Sequence, residues 1–120
     1  MARLNYVELP VRDLAASKAF FERAFGWALT DFGPEYAATV ADTPKTPATD
    51  IGLDGSDASV AAPLAVIEVE DIEAACDAVE QAGGVVTRPI FAFPGGRRFH
   101  FREPSGNELA VWQRGDAAHG

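Results

Sequence analysis

Residues 4–11 alternate apolar and polar side chains and are rich in strand formers, the period-two pattern of a half-buried β-strand. Pro10 has no backbone donor, so this strand is expected to lie at an edge there or to leave the ladder. Asp13 is a good helix N-cap. Behind it Leu14, Phe21, Ala24 and Phe25 recur at helical spacing, with Lys18, Glu22 and Arg23 between them. Gly26 can take the left-handed conformation that ends a helix. Three short strands are expected next, near 28–32, 36–41 and 49–53. The order then begins again. A strand at 64–70 precedes a helix capped by Asp71, with Ile72, Ala75, Cys76, Val79 and Ala82 on its apolar face and Gly83-Gly84 at its end. Strands near 85–90, 97–102 and 108–113 follow. Residues 54–59 are polar and flexible, and they separate the two halves.

This recurrence is an internal repeat. Under a shift of 58 positions, Val11, Asp13 and Leu14 fall on Val69, Asp71 and Ile72, and Phe21, Ala24 and Gly26 fall on Val79, Ala82 and Gly84. The same shift carries Asp50-Ile51-Gly52-Leu53 onto Glu108-Leu109-Ala110-Val111. One displacement thus fits both a helix and a strand. The expected fold is α+β: one domain over 1–120, built from two βαβββ modules. Module one covers about 1–54, a linker 54–60, and module two 61–114. Residues 115–120 are expected to form a flexible tail, and His119 within it is given no role.

Composition narrows the functional classes. Apolar residues make up 48% of the 120, enough to bury a core, and 23% are charged. A net charge of -8 argues against nucleic acid and anionic membrane surfaces as partners. The single cysteine, Cys76, cannot form an internal disulfide. No signal peptide and no apolar run of transmembrane length is seen, so a cytoplasmic location is expected.

Asp13-Leu14, Ser17, Phe20-Phe21 and Phe25-Gly26 look like the opening signature of the vicinal oxygen chelate superfamily, which includes glyoxalases, bleomycin-resistance proteins and dioxygenases. Glu103-Pro-Ser-Gly-Asn-Glu-Leu109 is similar to its closing signature. The resemblance covers nearly the whole chain, with the motifs in the right order. It implies two βαβββ modules whose curled mixed sheets surround a shared cavity, usually in a homodimer. It also implies one of two functional types: metal-dependent lyases, isomerases and dioxygenases, or metal-free proteins that sequester a drug.

Strand periodicity then sorts the side chains. Val7, Leu9, Val11, Ala65, Ile67, Val69, Phe99, Phe101, Leu109 and Val111 are expected to meet the helices. The opposite face carries Tyr6, Glu8, Leu64, Val66, Glu68, Arg98, His100, Arg102, Glu108, Ala110 and Trp112. The resemblance makes this face the ligand pocket; the other reading is plain sheet surface. Trp27 and Phe32 are candidates to join it.

The resemblance places the family's four metal-ligand positions at Tyr6, Gly52, Leu64 and Ala110. Three of these side chains have no donor atom, and tyrosine is an uncommon ligand for zinc, nickel, manganese or magnesium. No cofactor is therefore expected, with a divalent metal as the alternative. Glu8, His100 and Glu108 form a plausible divergent ligand set; the plainer account pairs them with Arg98 and Arg102. The expected function is binding or sequestration of a small organic compound, as bleomycin-resistance proteins do. The alternative is a glyoxalase-like lyase, isomerase or dioxygenase. It would be metal-free, using His100 with Glu8 or Glu108, or it would hold a divergent metal site.

Overall fold

The computed structural model describes residues 2–115; the tail beyond 115, with His119, lies outside the described residues. The elements run β1 (Arg3–Pro10), α1 (Leu14–Phe25), β2 (Thr30–Asp31), β3 (Tyr36–Ala38), β4 (Asp50–Asp54), β5 (Leu64–Glu68), α2 (Ile72–Gln81), β6 (Val85–Phe93), β7 (Gly96–Arg102) and β8 (Glu108–Arg114). The chain divides into two compact units. One holds residues 5–64, and the other holds residue 65 onward together with the start of the chain. Among the described residues, no helix is long and apolar enough to cross a membrane.

Each unit is one βαβββ module with the same strand order. In the first the order is β2-β3-β4-β1, and in the second β6-β7-β8-β5. The first strand of each module runs parallel to its last strand, and the remaining pairs within each module are antiparallel. The repeat extends to single residues. Glu8 opposes Gly52 in the first module, and Val66 opposes Ala110 in the second. Each of these pairs maps onto the other under the shift of 58 residues.

Helix ends follow local chemistry. The Asp13 carboxylate accepts from the Ala16 N–H at 3.0 Å, and Asp71 does the same for Ala74 at 3.0 Å. Gly26 sits at φ 70°, where its N–H reaches the Glu22 carbonyl. Each helix covers one face of its own module. Leu29, Ala37 and Leu53 are buried there, with Leu9, Val11, Leu14, Phe21 and Ile51 packed around them. In the second module Ile72, Phe99, Phe101 and Val111 are buried against Ile67, Val69, Cys76, Val79, Ile90 and Leu109. Cys76 is thus a packing residue, as its helical position suggests.

Two strands differ from the simple pattern. β3 ends at Ala38 rather than continuing to 41, because the chain turns inward to satisfy a buried carboxylate. Asp50 accepts from the Thr39 hydroxyl at 2.6 Å and from the Ala41 and Asp42 N–H groups at 2.7 and 2.8 Å. Asp42, also buried, accepts from Asn5 Nδ2 at 3.0 Å and from the Ala48 N–H at 2.7 Å. β6 runs on past Pro89 to Phe93, with a register shift between Arg88 and Phe91. Proline cannot donate to a ladder, and a bulge there accommodates it.

Asp50→Ala leaves three donors without this acceptor, the Asp42 N–H among them buried, so we expect it to destabilise the protein by about 2 kcal/mol. A lowered urea midpoint checks this. An unchanged midpoint would show that residues 39–50 are held by other contacts.

Candidate functional site

The face of each module turned away from its helix carries the polar side chains. In the first module the β1–β4 register sets Glu8 beside Gly52, and the β3–β4 register sets Ala38 beside Gly52. Tyr6, two residues from Glu8, and Tyr36, two residues from Ala38, therefore converge over the same glycine. Their hydroxyls hydrogen-bond to each other. Tyr36 also donates to Glu8 Oε2 at 2.9 Å. Since Tyr36 spends its one proton on Glu8, Tyr6 is the donor between the two hydroxyls. Burial, the Glu8 charge and the Tyr6 oxygen push the Tyr36 phenol far above its ordinary value, so it stays protonated.

Gly52 is required by this arrangement. A Cβ at that position would land on both hydroxyl oxygens and lie 2.8 Å from Tyr36 Cζ. The space that a side chain at 52 would use is already filled by two phenols.

In the second module, Phe99, Phe101, Leu109 and Val111 point into the core, so their neighbours in sequence face the other way. The ladder aligns Arg98 with Trp112, His100 with Ala110 and Arg102 with Glu108. It also aligns Val66 with Ala110 and Glu68 with Trp112. Val66 and Ala110 are buried and form an apolar floor. Leu64 opens β5 and is half-buried. Arg102 and Glu108 lie at the exposed end.

Three side chains that the alternation rule does not reach join this face. The register shift at Pro89 sets Arg88 opposite His100 and Phe91 opposite Arg98, and Phe93 follows opposite Gly96. The Arg88 guanidinium stacks 3.7 Å from the Phe91 ring centre. Arg98 lies 6.0 Å from Phe91 and 5.8 Å from Phe93. Phe93 in turn meets Trp112 at 6.2 Å. Arg114 lies 4.9 Å from the Trp112 ring and pairs with Glu68 at 3.0 Å, with Arg3 beside the same carboxylate at 3.8 Å.

His100 is held neutral. Arginine only donates, so the 3.2 Å contact from Arg98 Nε makes His100 Nε2 an acceptor and leaves the proton on Nδ1. Burial first, then the charges of Arg98 and Arg88, push the imidazole down to about 4 against an opposing pull from Glu108. Glu108 lies 4.0 Å from Nδ1, too far for a hydrogen bond, and instead accepts from the Thr87 hydroxyl at 2.7 Å. The ordinary near-neutral titration expected of a strand histidine is thus displaced.

Trp27 is not on this face. It stacks on Phe21 at 5.3 Å with ring planes 5° apart, beside α1 and the helix-side core. Phe32 is 55% exposed. A surface depression at the end of β1, lined by Pro10, Val11, Arg12, Gly55 and Val60, holds none of the expected site residues.

The residues at the family's four metal positions do not fit an ion. Tyr6 is committed to Tyr36, and Gly52, Leu64 and Ala110 carry no donor atom. Among the described residues, no three His, Cys, Asp or Glu side chains come together in a way that could hold a metal ion.

Two predictions follow from this geometry. Gly52→Ala overpacks the tyrosine pair and is expected to cost about 1–3 kcal/mol, read as a lower melting temperature; Gly55→Ala, whose added methyl would meet no atom closer than 3.5 Å, serves as a control for the Gly-to-Ala change without overpacking. His100 supplies a pH signature. Its imidazole titrates near 6.5 when unfolded and at about 4 when folded, so within that window the unfolded chain binds the extra proton. Its contribution is complete above the unfolded value and is lost as pH falls toward the folded one, a difference of about 3 kcal/mol. His100→Gln should flatten this part of the stability–pH curve in urea titrations; an unchanged slope would contradict the assignment.

Comparison with known proteins agrees with the motifs. Residues 3–111 match the family described as the Glyoxalase/Bleomycin resistance protein/Dioxygenase superfamily. A protein named provisionally as a glyoxylase, CFP32, from Mycobacterium bovis is 29% identical over 124 residues. That match covers 91% of this chain but only 44% of the relative, so the chain spans less than half of its length. Methylmalonyl-CoA epimerase from Mycobacterium tuberculosis superposes with a TM-score of 0.75 at 16% identity, covering 97% of this chain and 90% of that one. The Mn(II)-bound glyoxalase from Novosphingobium aromaticivorans gives 0.68 at 23% identity, covering 94% and 40%. These structural likenesses are at the level of the fold. With the two signatures, the repeated module and a family match over residues 3–111, the chain belongs to the Glyoxalase/Bleomycin resistance protein/Dioxygenase superfamily.

Proposed function

We propose that this chain is a metal-independent small-molecule-binding member of its superfamily, which holds an organic compound on the polar face of its second module and sequesters it as a bleomycin-resistance protein does. The observation that carries this reading is the tyrosine pair over Gly52. A position that would hold a ligand side chain in metal-using relatives is glycine here, and two hydroxyls occupy the vacated volume. The aromatic rings of the second module supply the stacking surface that a small organic molecule needs.

The same geometry weighs against the enzyme reading. A metal-free lyase or isomerase would use His100 with Glu8 or Glu108. An imidazole pushed down to about 4 is a weak base at neutral pH, and among the described residues no carboxylate hydrogen-bonds its Nδ1. Binding without turnover accounts for a histidine kept neutral by its arginine neighbours. The site is read as cytoplasmic and as acting in a homodimer, the arrangement usual for the superfamily.

Elemental analysis of purified protein and a protein-observed NMR screen against aromatic compounds, with and without chelator, test this proposal. We expect no stoichiometric metal, and binding that shifts the Trp112 indole resonance equally in both conditions. One equivalent of tightly held metal, with binding abolished by chelation, would overturn it.

A further inference from the structure

The second module carries a charge pattern that selects the kind of molecule it takes. The chain as a whole is acidic, with a net charge of -8 and only ten Lys and Arg residues. Four of those ten, Arg88, Arg98, Arg102 and Arg114, fall on the one face of β6, β7 and β8 described above. The carboxylates on the same face are Glu68 and Glu108. Glu68 is engaged by Arg114 and Arg3, and Glu108 by the Thr87 hydroxyl. The face is therefore locally cationic in an anionic protein.

Geometry sharpens this pattern. Arg88 lies flat over Phe91, and among the described residues no carboxylate pairs with it. Arg98 reaches the same ring from the neighbouring strand, with Phe93 on its other flank. Two guanidiniums thus share one aromatic ring. Guanidinium stacking leaves the N–H edge directed outward, where it can grip a planar oxyanion through two parallel hydrogen bonds. His100 is disfavoured as a cation first by burial and then by the charges of Arg98 and Arg88, against an opposing pull from Glu108. An anion placed there relieves that repulsion; a cationic ligand adds to it.

We infer that this face, resting on its reading as a small-molecule site, binds a planar organic anion, an aromatic or conjugated carboxylate, with Arg88 and Arg98 on the carboxylate and Phe91, Phe93 and Trp112 against the ring. The assignment opposes the expectation set by the overall charge, which would favour cations. Arg88 and Arg98 are specificity residues: they select the sign of the ligand, and the rings supply affinity that any flat molecule shares.

Three probes with one ring and different charge test the inference: benzoate, benzamide and benzylamine, titrated into the full chain and followed by isothermal calorimetry and by the Trp112 indole NMR signal. We expect benzoate to bind about tenfold more tightly than either of the others, and to weaken as salt rises. Arg88→Met, at an exposed position where folding is not at stake, should remove most of that preference, as should Arg98→Met. Arg97→Met removes the same charge from the adjacent residue, which pairs with Glu73 of α2, and should leave benzoate binding unchanged. Equal binding of all three probes, or a preference for benzylamine, would overturn the anion assignment while leaving a metal-independent pocket in place. Equal loss in Arg97→Met and Arg88→Met would reduce the effect to overall charge and overturn it as well. Absence of benzoate binding up to about 10 mM also overturns it. Loss of all probe binding on chelation would instead count against the pocket reading itself.

Discussion

The functional reading depends on one close approach, two phenol hydroxyls packed against the backbone of Gly52. Three independent features bring it about. The parallel β1–β4 register sets Glu8 beside Gly52, the antiparallel β3–β4 register carries Tyr36 to the same place, and glycine has no Cβ to obstruct them. Asp50 also gathers the chain between β3 and β4 with three hydrogen bonds just beyond the end of β3. A side chain able to grip a cation at position 52 would have to displace both tyrosines.

The second module makes a different use of the same scaffold. Its position equivalent to Gly52 is Ala110, buried and apolar, and the ring-and-guanidinium layer is built beside it from β6 and β7. The duplicated backbone therefore presents two unlike surfaces: a closed hydroxyl–carboxylate cluster in one module, and an aromatic, cationic face in the other. His100 sits within the second as a neutral acceptor. Its low proton affinity follows from burial and two arginines and calls for no special hydrogen bond.

Much of this was legible in the residues. Asp13 and Asp71 mark both helix starts, Gly26 marks one helix end, and the shift of 58 carries the parallel strand pair of one module onto that of the other. Strand alternation puts Arg98, His100, Ala110 and Trp112 on one face, and the β7–β8 ladder sets Arg98 beside Trp112 and His100 beside Ala110. It fails where the backbone departs from strict alternation. The bulge at Pro89 resets the parity of β6, so Arg88, Phe91 and Phe93 cannot be assigned from spacing; the proline within a run of strand formers is the one local hint. Tyr36 is hidden for another reason. Its partner strand lies across an irregular segment whose register is set by Asp50 and Asp42, and buried carboxylates of that kind have no periodic signal. The near-neutral titration of an isolated histidine also fails as a guide, because it ignores the arginines that only the fold brings close.

The central claim is that protein hydroxyls, not a cation, fill the corner above Gly52. Crystals of the full chain grown with excess Mn(II), measured at the manganese absorption edge, test it most directly. The account predicts clear density for the Tyr6 and Tyr36 hydroxyls in mutual contact, and no anomalous peak beside them. An ordered manganese ion held there by protein oxygen or nitrogen atoms, with the tyrosines swung apart, would contradict it.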